Sequence, residues 1–287
     1  MIAQIETGKA ADSGPYQVRG DAARHRAALY AVLAQALSAP GRALCDAVEQ
    51  NILPVVIEQA LHRQPLSYVR DLDLGFLGKL TAPAGCGVFE DMLMAEYTRL
   101  FALNMHCPQY EADYVSRNSF NWAHVISAVT GMYSNFGVQL ASGVGERPDH
   151  IAVELDFMNL LAAKEAHARE LNHPGRTRLS RRAQKLFFAS HLSRWAVAFA
   201  RKLGEETRLD FYKGVAGFTE TLMIAEARYW SVGLQTPEFQ ADSAATGHPG
   251  AKATTCGCSE GVQQPEALAQ LVPQTQVPVQ QIAGGKE

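Results

Sequence analysis

Near the middle of the chain, three residues with types suited to chemistry stand close together: Asp149, His150 and Glu154. His150 and Glu154 are four apart, so on a helix they are neighbours on one face. A histidine and a carboxylate placed this way can ligate a metal or act as acid and base. Helical metal sites of that kind pair two Glu-x-x-His segments, and the second is missing here. The competing reading is a binding edge, a helix start that carries Asp, His and Glu beside an apolar stripe. The plain alternative is a capped core helix with a solvated polar side. A second chemistry-bearing stretch, residues 104–118, reads as a loop and holds Cys107, Tyr110, Glu111 and Tyr114. A third, Cys256-Gly257-Cys258, is a dithiol that can bind a soft metal or exchange disulfides. Two thiolates do not complete a tetrahedral zinc site, so His248 or Cys107 would have to join them. The expected reading is an incidental pair, with no metal, no cofactor and no catalytic residue.

The elements that must position these residues are all helical. Pro148 suits a first helical position, and Asp149 then falls in the first turn, where the helix dipole favours a carboxylate. Ile151, Leu155, Met158 and Ala162 recur at helical spacing, which predicts one helix over about 148–171. Upstream, Asp21 can cap a helix to about Ser38. A helical region over 42–62 breaks or restarts at Pro54. Further helices are expected over about 88–103 and over 119–136, the second with Val125, Val129, Met132 and Phe136 inward and Gly137 at its C-terminus. Downstream, one long helix is expected over 179–203 and another over 209–233. No alternating strand pattern occurs. The fold class is therefore all-α: a single helical domain of two packed halves over 21–236, with a linker near 137–147. Residues 1–20 read as a flexible N-terminal arm. Residues 237–287, rich in Gln, Pro, Ala and Gly with Phe239 as their one aromatic, read as a disordered C-terminal tail.

Composition excludes several classes. The chain is 47% hydrophobic and 19% charged, with net charge −3 and no basic patch that stands out. Binding to nucleic acid through phosphate neutralisation is not expected. No run of 18 apolar residues predicts a membrane span. Residues 1–20 lack the apolar core of a secretory signal. The five cysteines are odd in number and without framework spacing. These features together lead to the expectation of a cytoplasmic protein.

Glu146-Arg147-Pro148-Asp149-His150, followed by Glu154 and Phe157-Met158, resembles the signature of the TorD/DmsD/NarJ family of molybdoenzyme chaperones. Other stretches agree in order and spacing. Glu96-Tyr97-Thr98-Arg99-Leu100-Phe101 is similar to the family's Tyr-x-x-Leu-Phe helix end. Cys107-Pro108-Gln109-Tyr110-Glu111-Ala112-Asp113-Tyr114 is similar to its Pro-Tyr-Glu loop, with Gln109 separating Pro108 from Tyr110. Phe188, His191, Leu192, Trp195 and Phe199 fit its late helix, and Arg26, Leu29 and Tyr30 its opening. The resemblance implies a chaperone without turnover. Its partners would be the apo catalytic subunit of a molybdoenzyme of the dimethyl sulfoxide reductase type and that subunit's twin-arginine signal peptide. The chaperone would assist molybdenum cofactor insertion before export. Such a peptide presents two guanidiniums and an apolar segment, which call for carboxylates that accept forked donors and for an apolar groove. The resemblance thus nominates Asp149, His150, Glu154, Glu111, Tyr110 and Tyr114 as client-binding residues, with Trp122, Phe157 and Met158 as further apolar walls. A general helical adaptor and a metal-dependent helical enzyme are the alternatives. The expected oligomeric state is a monomer or a dimer that exchanges its C-terminal half through the linker.

Overall fold

The computed structural model describes residues 15–82, 89–103, 107–116, 121–140 and 146–237. Residues 1–14 of the arm expected over 1–20, residues 238–287 of the tail expected over 237–287, with Cys256 and Cys258, and the 141–145 part of the linker fall outside the described residues. Among the described residues the protein is helical throughout, and its one β feature is an isolated antiparallel bridge between Tyr110 and His150. No helix there is long and apolar enough to cross a membrane.

The helices in order are α1 (Pro15–Leu37), α2 (Arg42–Glu49), α3 (Ile52–His62), α4 (Leu66–Val69), α5 (Phe89–Tyr97), α6 (Glu111–Val115), α7 (Trp122–Asn135), α8 (Ile151–Glu170), α9 (Pro174–Ser190), α10 (Ala196–Glu206) and α11 (Asp210–Trp230). Helix α1 starts at Pro15, so residues 15–20 belong to it and not to the expected arm. A proline is compatible with a first turn, where its missing N–H has no partner to lose. The break between α2 and α3 also precedes its expected place. Asn51 takes a left-handed conformation (φ 56°), and Pro54 sits harmlessly in the first turn of α3. Gly137, with φ +69°, ends the α7 region as expected of a residue free to go left-handed.

The long helix expected over 179–203 is in fact α9, a short 3-10 turn (Leu192–Arg194) and α10. The break falls at His191, whose backbone leaves helical space (φ −126°, ψ −88°). Periodicity could not reveal it, because Phe188, Leu192, Trp195 and Phe199 are all buried on both sides of the break. Helix α9 also corrects the charge reading. It carries Arg176, Arg178, Arg181, Arg182 and Lys185 and no acidic residue, and Arg176, Arg178, Arg182 and Lys185 are exposed.

The two halves interleave. Helix α1 lies along α8, α8 along α9, and α10 along α11. Their apolar faces merge into one core that includes Leu29, Leu33, Leu155, Met158, Phe187, Trp195 and Leu222. Residues 76–80 lie directly on α11 because two glycines permit it. A Cβ at Gly217 would stand 2.7 Å from Phe76 Cβ, and one at Gly214 would stand 2.9 Å from Leu80 Cδ2. Helix α7 is the least embedded long helix. Val129 and Tyr133 are buried, while Val125, Met132 and Phe136 are half-buried.

Candidate functional site

The start of α8 and the 107–116 segment form one seam. The amide of Ile151 donates to the Gln109 carbonyl (2.8 Å), and that of Glu111 donates to the Asp149 carbonyl (2.9 Å). These two bonds make the bridge, and they hold residues 148–150 in extended or turn geometry. Pro148 and Asp149 therefore precede the helix instead of opening it. His150 is the N-cap: its Nδ1 accepts from the Ala152 amide at 3.1 Å. A ring nitrogen here replaces the Ser, Thr or Asp oxygen usual at that position. Tyr133 of α7 donates its hydroxyl to the Pro148 carbonyl (2.9 Å) and ties α7 to the same seam.

Gln109, the residue that departs from the family's loop pattern, has a structural role. Its Nε2 donates to the Leu37 carbonyl at the end of α1 (2.7 Å), and Tyr97 donates to its Oε1 (3.3 Å). Cys107 is buried beside the Tyr114 hydroxyl, and burial pushes its thiol up to about 12. It is thus an uncharged core residue.

The nominated residues divide sharply. Asp149, Glu111 and Glu154 are wholly buried, His150 and Tyr114 nearly so, and Tyr110 is half-exposed. Asp149 accepts from the Ala112 amide (3.1 Å) and from Arg147, whose Nε and Nη2 reach its two oxygens at 3.0 and 2.7 Å. Glu111 Oε2 is 2.8 Å from Nδ1 of His191, the residue at which α9 ends. Glu154 faces inward: Trp195 Nε1 donates to it at 3.3 Å. Burial, and then the nearby carboxylates of Glu111 and Asp149, hold Glu154 well above the ordinary carboxylate range. Burial, and then the charge of Arg147, push His150 down to about 4, so its imidazole is neutral. The i, i+4 neighbours His150 and Glu154 therefore do not converge on a common ligand: one caps the helix and the other serves the core.

Sequence reasoning missed Arg147 as a site residue. Its guanidinium carbon lies 4.3 Å from the Tyr110 ring centroid and 5.1 Å from that of Trp122. Tyr110 in turn donates to Glu146 (3.2 Å), and burial, then the Glu146 charge, push its hydroxyl up to about 12. The signal was present, since Arg147 lies within the quoted motif, but only folding brings Tyr110 and Trp122 to it. Beside this seam a cleft of about 320 Å³ opens between α6, α7 and the break at His191. Glu111, His191 and Arg194 line its polar side, and Val115, Val125 and Ala128 its apolar side.

Residues 90–201 match the model of a family described as the nitrate reductase delta subunit. That range contains every quoted motif except the opening one around Arg26. Chaperone protein TorD of Vibrio cholerae (serotype O1, strain ATCC 39541 / Classical Ogawa 395 / O395) is 31% identical over 85 residues, which are 30% of this chain and 37% of that protein. The perchlorate reductase assembly chaperone protein of Dechloromonas aromatica (strain RCB) is 29% identical over 141 residues, 48% of this chain and 60% of that protein. The matches thus span less than two thirds of the length of these relatives. The resemblance expected from the ordered motifs is the one found: across its central region the chain is similar to the nitrate reductase delta subunit family and to these two chaperones.

Proposed function

We propose that this protein is a system-specific assembly chaperone. Its client is the apo catalytic subunit of a molybdoenzyme, and it engages that subunit's twin-arginine signal peptide before cofactor insertion and export. On this reading it works in the cytoplasm and performs no catalytic turnover. The observation that carries the proposal is the convergence of the 107–116 segment, α7 and the start of α8 at one seam. There, buried carboxylates, half-exposed aromatic rings and a cleft of mixed polarity lie side by side. A peptide that offers guanidiniums followed by an apolar segment needs all three. His150, Glu154 and Glu111 would act mainly by shaping the seam, because each is buried. Tyr110 and Trp122 are its more accessible parts.

The test is calorimetric titration of the full chain with a twin-arginine signal peptide from a neighbouring molybdoenzyme, with a lysine-lysine version as control. Saturable binding that disappears in the control is the expected result. Equal binding of both peptides would favour a general helical adaptor. Binding of neither, with capture of the whole apo-enzyme retained, would move recognition to the client's folded body.

A further inference from the structure

The guanidinium of Arg147 sits as an incoming arginine would. It is forked onto both oxygens of Asp149, and the rings of Tyr110 and Trp122 lie close to its carbon. The receptor half of this arrangement is fixed. Asp149 has no exposed surface and is also anchored by the Ala112 amide, and Tyr110 is held by the bridge to His150. The arginine half is not fixed. Its side chain is 27% exposed, and it precedes its carboxylate by two residues, so its departure separates no two helices. Departure alone would strand a buried carboxylate, which is strongly unfavourable. A replacement cation therefore has to arrive as Arg147 leaves. The replacement has to present a flat, forked donor, which a guanidinium does and an ammonium does not.

The geometry points to a guanidinium-binding cage made by Asp149, Tyr110 and Trp122, occupied in cis by Arg147 and yielded to an arginine of the client by exchange. The identity of the arriving arginine rests on the function proposed above; the cage and its occupant do not. Arg147 is on this account an internal competitor that sets a threshold for binding and makes it selective for arginine.

Two measurements on the full chain test the exchange. In the first, Arg147→Ala is titrated with the twin-arginine peptide. Removal of the competitor should tighten binding roughly five- to thirtyfold, the equivalent of one ion pair with a partly exposed arginine plus its ring contacts. Arg147→Lys, which keeps the charge and the fold but loses the fork, should fall between Arg147→Ala and the unaltered chain. In the second, methylguanidinium chloride is added to each protein in a thermal melt. It should raise the Tm of Arg147→Ala more than that of the unaltered chain, and methylammonium chloride should not. If the unaltered chain binds the peptide but both variants bind it no more tightly, and methylguanidinium gives no selective rescue, the cis-occupant account is overturned while the chaperone reading stands. If methylguanidinium rescues Arg147→Ala but no protein binds the peptide, the cage stands and the client assignment falls.

Discussion

Arg26 and Arg147 each hold a guanidinium against carboxylates and near two aromatic rings, but their surroundings differ. Arg26 of α1 is 2% exposed and lies over Tyr229 and Trp230 at 4.6 and 5.1 Å. It meets Glu165 of α8 at 2.9 Å and Glu226 of α11 at 3.4 Å, and it also donates to Gln184 of α9. Tyr68 and Trp230 donate to Glu226, and Arg169 and Arg181 to Glu165, so each carboxylate is shared. Burial alone would raise Glu165, but the cations of Arg26 and Arg181 and the donors on Arg169 and Gln184 hold it down to about 2. This cluster joins elements far apart in the chain. Arg147 has one carboxylate, two residues away, and an open side. The same chemical ingredients thus make a staple where they bridge helices and a replaceable contact where they are local.

The largest effect that can break this comparison is on stability. Arg26→Ala should cost ~3–5 kcal/mol in urea unfolding, because Glu165 and Glu226 are left buried without their shared cation. Arg147→Ala should cost less, ~1–3 kcal/mol, since Asp149 loses its cation but keeps the Ala112 amide and no two helices are separated. Equal costs would end the distinction between staple and occupant.

The next effect sharpens the chemistry around Arg147. His150 titrates at about 4 in the folded protein against 6.5 unfolded, so its contribution is present above 6.5 and is lost as pH falls towards 4. The loss should be on the order of 3 kcal/mol, visible as a falling Tm between those values, and His150→Asn should remove it. Arg147 is one of the two causes that depress His150. Arg147→Ala should therefore move the His150 titration upward in an NMR pH series, whereas Arg26→Ala should leave it in place.

The smallest effect concerns Glu154. Its folded pKa is raised, so its contribution is complete below the ordinary carboxylate value and declines as pH rises towards the folded one. Glu154→Gln imitates the protonated form. It should leave Tm nearly unchanged at low pH and remove the decline on the alkaline side, as seen in melts from pH 5 to 9. An unchanged decline in the Gln variant would mean that the Glu154 pKa is not raised in the fold.

Much of the fold was legible because helical burial is periodic. The spacing of Ile151, Leu155, Met158 and Ala162 marked α8, and each of these residues is buried. Gly137 marked the end of the α7 region for a purely local reason, its tolerance of positive φ. Ordered motifs also led to the right relatives, because the types and spacing of such residues are properties of the chain itself. What the sequence by itself determined, then, was helix content, approximate boundaries and the proteins that its central region resembles.

Only the tertiary structure decided how those residues are used. Asp149 reads locally as a first-turn carboxylate, yet the bridge to the 107–116 segment holds it outside the helix and under Arg147. His150 and Glu154 are neighbours by spacing, but the core claims one and the helix end the other. At the break, the ring of His191 is bonded to Glu111, 80 positions away. Partners so distant in the chain leave no periodic trace, because their pairing depends on how whole helices pack and not on the preference of any one segment.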